Sequence, residues 1–286
     1  MIFAHSNKFF PEIYLEIPSN LNTIISVFSS EIKLFLAAFL ILLMKKSLFL
    51  GLVLFLMGSI LNRVGAQSQF SGWLATFATI KSGKKTSVHA DIQWRSSAQV
   101  EHMQTLLIRA GLNYHLNKQW TATAGYAFTY NRRNVNNVTG YAPEHRIWEQ
   151  LQYGHRLNIV SISHRLRLEQ RFIGQSAVQD SELETDNYAY VNRIRYFIKT
   201  TVPFRRQTPL TRGMFALLQE EVFLNFGNTE NVNGKTFDQN RIFLALGYRL
   251  NRSLDLEAGY MNQYSSGRGD TFTNNHIAQI ATYIRL

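Results

Sequence analysis

Residues 120–130 read WTATAGYAFTY. Trp120, Ala122, Ala124, Tyr126, Phe128 and Tyr130 fall on one side, with Thr121, Thr123, Gly125 and Thr129 on the other. Successive side chains of a strand point to opposite faces, so this is a period-two strand with one apolar face and one small or polar face. The same alternation governs residues 242–250, IFLALGYRL, where Ile242, Leu244, Leu246, Tyr248 and Leu250 oppose Gly247 and Arg249, with Arg241 just ahead on the same polar face.

Working outward from these two stretches, eleven such segments are expected, at about 70–80, 85–96, 100–115, 119–132, 144–156, 160–173, 188–202, 213–226, 239–250, 254–265 and 274–286. Most are longer than the five or six residues of an average soluble strand and match the ten or so that cross a tilted bilayer. The connections also alternate: tight at LNKQ, LNIV and LNRS, long and polar at 133–143, 174–187, 227–238 and 266–273. YHLNKQWTATAGYAFTY and YRLNRSLDLEAGYMNQY share Y-x-L-N-[KR] and A-G-Y-x-x-x-Y in one register, so two hairpins are built alike. The expected fold is all-β, an antiparallel transmembrane β-barrel of ten to twelve strands of the outer-membrane type. Bacterial single-chain barrels close with an even count, so an eleventh segment calls for a partial first strand or a miscounted one.

The charges orient the wall. SHRLRLEQRF, residues 163–172, places Arg165, Arg167, Glu169 and Arg171 on one face and Leu166, Leu168 and Phe172 on the other. Each arginine turned to lipid near the midplane costs about 2 to 4 kcal/mol, so this face is expected to line the lumen. Arg193, Arg195, Gln219, Glu221, Arg241, Asp255 and Glu257 extend the charged rows, with Asp91, Arg95 and Arg109 earlier in the chain. Glu149, His164, Gln170 and Glu220 take the outward parity, at an interface or beside a bulge. The C-terminal stretch HIAQIATYIRL sends Ala278, Ile280, Thr282, Ile284 and Leu286 outward and Gln279, Ala281, Tyr283 and Arg285 inward.

Two readings of the inner rows stand side by side. Interleaved arginine and glutamate form a paired structural plug, or they line a narrow path for small polar or anionic solutes. Outer-membrane lipid and, during insertion, the barrel-assembly machinery are the other partners this class implies; oligomeric state is open.

The export signal begins inside the chain. MKKSLFLGLVLFLMGSILNRVGAQ starts at Met44: Lys45 and Lys46 precede an apolar run from Leu48 to Leu61, and Val64-Gly65-Ala66 supplies small residues for cleavage between Ala66 and Gln67. Residues 44–66 are therefore expected to be a secretory signal and 67–286 the barrel. Residues 1–43 are expected to be an over-extended reading of the start. Anchoring through one helix from Leu34 to Leu61 would place two lysines near its middle at about 2.5 to 3.5 kcal/mol each. Five Lys/Arg and three Asp/Glu precede Gln67, leaving 25 basic and 16 acidic residues of the chain's 30 and 19, a net +9. An exported basic chain without a helix-turn-helix or zinc-finger spacing is not expected to bind nucleic acid. With no cysteine there is no disulfide or thiolate site, and no cofactor or metal is expected.

H-R-x-x-E-Q at His145 to Gln150, S-H-R-L-R-L-E-Q-R-F at Ser163 to Phe172 and N-R-I-R-Y at Asn192 to Tyr196 resemble the domain of unknown function 2490 (DUF2490) proteins, predicted outer-membrane β-barrels found largely in Bacteroidetes. The resemblance covers roughly Phe70 to Leu286 and implies location and fold. It implies no catalytic residue.

The expected protein is non-enzymatic; the alternative is an outer-membrane lipid hydrolase cleaving acyl esters. Such an enzyme needs a serine and a histidine on one face. Here Ser163 adjoins His164 on the opposite face, Ser161 has the wrong parity, and His145, His155 and His276 have no serine two residues on. RGD at Arg268 to Asp270 and Asn137-Val138-Thr139 are too short to carry a function. Trp73, Trp94, Tyr126 and Tyr264 are expected in interfacial girdles.

Overall fold

The computed structural model describes residues 67–205 and 209–286. The expectations for residues 1–43, for the signal at 44–66 and for cleavage after Ala66 lie outside them. Eleven strands form one closed barrel, each paired with its sequence neighbours: β1 (Gln67–Lys81), β2 (Thr86–Ser96), β3 (Met103–His115), β4 (Trp120–Val135), β5 (Val138–Leu157), β6 (Val160–Gln179), β7 (Glu182–Pro203), β8 (Gly213–Phe226), β9 (Phe237–Asn251), β10 (Leu254–Ser266) and β11 (Phe272–Arg285). All eleven expected segments are strands.

The odd count is resolved by the seam. In an up-and-down meander with an odd number of strands the first and last run in the same direction, so they can close the barrel only as a parallel pair. β1 and β11 do so in unbroken register from Gln67 beside Thr273 to Thr79 beside Arg285, while the other neighbouring pairs are antiparallel. The expected barrel of ten to twelve strands forms, antiparallel except at this seam, and its odd count needs neither a partial first strand nor a miscounted one. Lys81 N and Leu286 N donate to Leu286 O and Thr79 O at 2.7 and 2.9 Å, finishing the seam at what we call the lower rim.

The tight motifs sit on that rim for a local reason. Asn117 Oδ1 accepts from the backbone of Gln119 and Trp120 at 2.8 and 2.9 Å, and Asn251 Oδ1 from Ser253 at 2.8 Å. The asparagine of the repeated L-N-[KR] thus closes an Asx turn, which its short side chain does without a long loop.

The upper rim departs from expectation. Residues 133–143 and 174–187 are not loops: β4 to β7 run on as 16 to 22-residue strands, against 11 to 15 elsewhere. They reverse at Asn136-Asn137 and Asp180-Ser181, all four with positive φ between 47° and 66°. That is the mirror-image turn whose twist suits two long paired strands. The other two long connections are loops and interlock. Asn233 Nδ2 donates to Ser266 O at 3.1 Å, and Arg268 donates to Val232 O and Glu230 O. The arginine of the RGD tripeptide is thereby tied to the neighbouring loop.

Alternation sorts the wall as the sequence predicted. Leu244, Leu246 and Ile280 are exposed on the outside (62, 53 and 55%), while Phe243, Ala245 and Ala281 are buried within. Trp73 is the exception among the expected girdle residues. It points inward and packs with Phe215, Leu217, Phe243, Ala245, Met261 and Ile277 in an apolar cluster on the β1 and β8–β11 side. Its parity partners Ser71 and Ala75 are likewise buried, so strand register overrides the preference of tryptophan for an interface.

Candidate functional site

The opposite side of the interior is ionic, and two glycines found its floor. A Cβ on Gly125 would lie 2.6 Å from Trp148 Cζ2, and one on Gly111 would lie 2.7 Å from the same atom. Glycine at these paired positions of β3 and β4 lets the indole of β5 lie flat on the barrel wall. The Arg167 and Arg109 guanidinia then sit over that ring, 4.4 and 5.8 Å from its centroid. Cationic groups over an aromatic face gain attraction that grows where water is excluded.

Most interior carboxylates hold two cationic partners. Asp91 accepts both Nε and Nη2 of Arg109, at 2.7 and 3.1 Å, and also the His89 ring at 2.9 Å. Glu144 accepts Arg146 at 2.7 Å and Arg171 at 2.6 Å. Glu169 holds Arg193 through Nη2 at 2.6 Å and also Arg195, and Glu221 bridges Arg165 and Arg195 at 2.7 and 2.8 Å. Lower down, Asp255 joins Arg249 and Arg285, and Glu257 takes Lys199 at 2.6 Å. Arg193 also reaches Asp238 at 2.9 Å. A bulge where β8 meets β9, at Phe223/Leu224, re-aims this aspartate inward.

Three interior arginines bind glutamine in place of a close carboxylate. Arg95 donates to Gln93 Oε1 at 2.7 Å, Arg167 to Gln150 Oε1 at 2.6 and 3.1 Å, and Arg241 to Gln239 Oε1 at 2.8 Å. A glutamine carbonyl supplies a lone pair but no charge. Arg167 is 1% exposed, and its nearest carboxylate oxygen, on Glu169, is 3.9 Å away, beyond hydrogen-bonding range. Arg95 Nε, Arg167 Nη1 and Arg241 Nε are buried without a hydrogen-bond partner, as are Gln219 Nε2 and Trp148 Nε1.

These groups surround a cavity of about 550 Å³ to which all eleven strands contribute. Its wall carries twelve arginines and Lys199 against Glu144 and Glu221, so its field is strongly positive even after the buried pairs are allowed for.

The structure places Arg165, Arg167, Glu169, Arg171, Arg193, Arg195, Glu221 and Arg241, the charge rows read from sequence, in this interior. Sequence reasoning missed Glu144, Asp238, Lys199 and Trp148. Glu144 and Trp148 share a face with Arg146, and that spacing was the available signal. Asp238 gave none, since only the bulge turns it inward. The hydrolase constellation is not assembled: Ser163 Oγ accepts from Gln152 Nε2 on the inner face at 3.3 Å, and His164 meets Tyr196 OH on the outer face at 2.8 Å. Among the described residues no group of acidic or histidine side chains has metal-ligand geometry.

The family described as "Protein of unknown function (DUF2490)" matches residues 70–274. An uncharacterized protein of Methylorubrum extorquens is similar at 22% identity over 197 residues, which cover 68% of this chain and 79% of that protein. The family match runs from the first strand into the last and so takes in the ionic interior with the wall that carries it; the chain belongs to the DUF2490 family.

Proposed function

We propose that the chain is an integral outer-membrane β-barrel protein, not an enzyme, whose lumen admits small anions. The observation that carries this reading is the set of three interior arginines, Arg95, Arg167 and Arg241, that face the cavity on glutamine carbonyls with no carboxylate in hydrogen-bonding range. A filled interior with only a structural role would pair its charges, because a buried unpaired charge is costly. An excess of guanidinium is instead what an anion path requires. Membrane placement is supported by the strand lengths and by the exposed leucines and isoleucines of the outer face, more apolar surface than a soluble monomer usually leaves to water. The segment 44–66 supplies the export signal this placement needs.

The doubly bonded carboxylates favour a second reading, a plug. Eleven strands lie between the eight that side chains can fill and the sixteen that leave an open channel. Single-channel recording of the purified protein in a planar bilayer separates the two. Anion-selective steps that weaken in Arg165→Ala and Arg167→Ala support the path. A folded, heat-modifiable barrel that stays silent supports the plug and overturns the path.

A further inference from the structure

Resting on the reading of the interior as anion-accepting, we propose that it holds a saturable site for a phosphoryl dianion, built around Arg95, Arg241 and Trp73. The two guanidinia lie 4.2 and 5.1 Å from the centroid of the same indole. They are therefore within about 10 Å of each other, one Debye length at 0.1 M salt, and each is hydrogen-bonded to a glutamine carbonyl instead of a carboxylate. Arg241 also shares the Phe223 ring with Arg195, at 4.6 and 4.5 Å.

Rings hold these cations in place from one side while glutamines hold them from another, so the forks are pre-organised without being satisfied. A monoanion neutralises one of the two free charges. A phosphoryl group at neutral pH carries about −1.5 to −2 and offers three acceptor oxygens, matching two planar forks that bind bidentately. The buried, unpartnered Gln219 Nε2 adds a neutral donor on the same wall.

The cavity is also larger than a bare ion needs. At about 30 Å³ per water, its 550 Å³ takes on the order of eighteen waters, leaving room for a small hydroxylated body attached to the phosphate. Gln279 lines it with an amide able to meet hydroxyl groups, as does the Gln219 amide. Free phosphate and a small phosphate ester share the recognised chemistry.

The full chain, purified in detergent, is titrated calorimetrically with sodium phosphate, glucose 6-phosphate and sodium acetate at constant ionic strength. Saturable binding of either phosphate, with none of acetate, is expected. The phosphate bound more tightly identifies the natural source as free ion or ester. Arg95→Gln and Arg241→Gln are each expected to weaken binding about tenfold or more, the scale of one charge-assisted contact, with the urea midpoint kept or raised. No binding of either phosphate, equal binding of acetate, or indifference to both substitutions overturns the site. Bilayer recording of the same preparation keeps the two readings apart. Anion current without saturable phosphate binding overturns the site and leaves the path. Phosphate binding without current supports the site and overturns the path.

Discussion

The two halves of the barrel interior solve the same packing problem with different materials. On the β1 and β8–β11 side, Phe215, Leu217, Phe243, Met261 and Ile277 fill the space as a hydrophobic core, with the Phe215 ring lying where Gly247 has no Cβ. On the β5–β8 side, the same volume is taken by guanidinium and carboxylate groups bridged in pairs. The apolar half needs only shape, because each side chain brings its own favourable transfer from water. In the ionic half each group is tolerable only while its partners remain. Stability is therefore local on one side and collective on the other, and Arg95 and Arg241, over Trp73, stand at the border between them.

The largest expected effect tests the collective half. Glu169→Ala removes one of the two carboxylates that hold each of Arg193 and Arg195 and is expected to cost about 3 to 5 kcal/mol in urea unfolding. A loss under ~1 kcal/mol would mean that the ionic half carries no such dependence. Leu217→Ala is expected to cost about 2 to 5 kcal/mol through the cavity it leaves, with little change when salt is raised. Marked salt dependence there would erase the contrast between the halves. Gly125→Ala drives a methyl against the Trp148 ring and the Ala110 carbonyl and should cost about 1 to 3 kcal/mol; fluorescence of the displaced indole reports the shift. The smallest effect belongs to Arg95→Gln. With no carboxylate left behind, stability should be kept or should rise by up to ~1 kcal/mol, and a loss beyond ~2 kcal/mol would show that Arg95 is structurally paired after all.

The strands and their facing were legible because period two is a strong signal wherever one face is apolar. Residues 120–130 and 242–250 fall as that rule dictates. The signal failed where both faces are polar. Residues 133–143 and 174–187 carry Arg133, Glu182, Glu184 and Asp186 around their turns, so their pairing is invisible to a hydrophobicity pattern, although the strands stay paired in the structure. Trp73 failed for the converse reason: tryptophan suits both an interface and a core, and only its register with Arg95 on β2 decides. In the candidate site, charge and parity were readable, but partner choice was not. That Arg109 would find Asp91 while Arg95, on the strand that carries Asp91, would find only Gln93 depends on side-chain geometry across neighbouring strands.

The seam between β1 and β11 also constrains the order in which the barrel can assemble. Every other pairing joins neighbours in sequence, so ten hairpin contacts can zip locally with short loop closures. The eleventh joins the two ends of the described sheet, and its entropy of closure falls due only after all the intervening strands exist. Until then, β1 and β11 each present a row of unsatisfied amides and carbonyls. The growing sheet has two sticky edges running in the same direction, a template for pairing with another chain that vanishes when Thr79 and Leu286 meet. Ring closure thus closes the longest loop of any pairing in this barrel, and it is the step at which pairing with another chain competes.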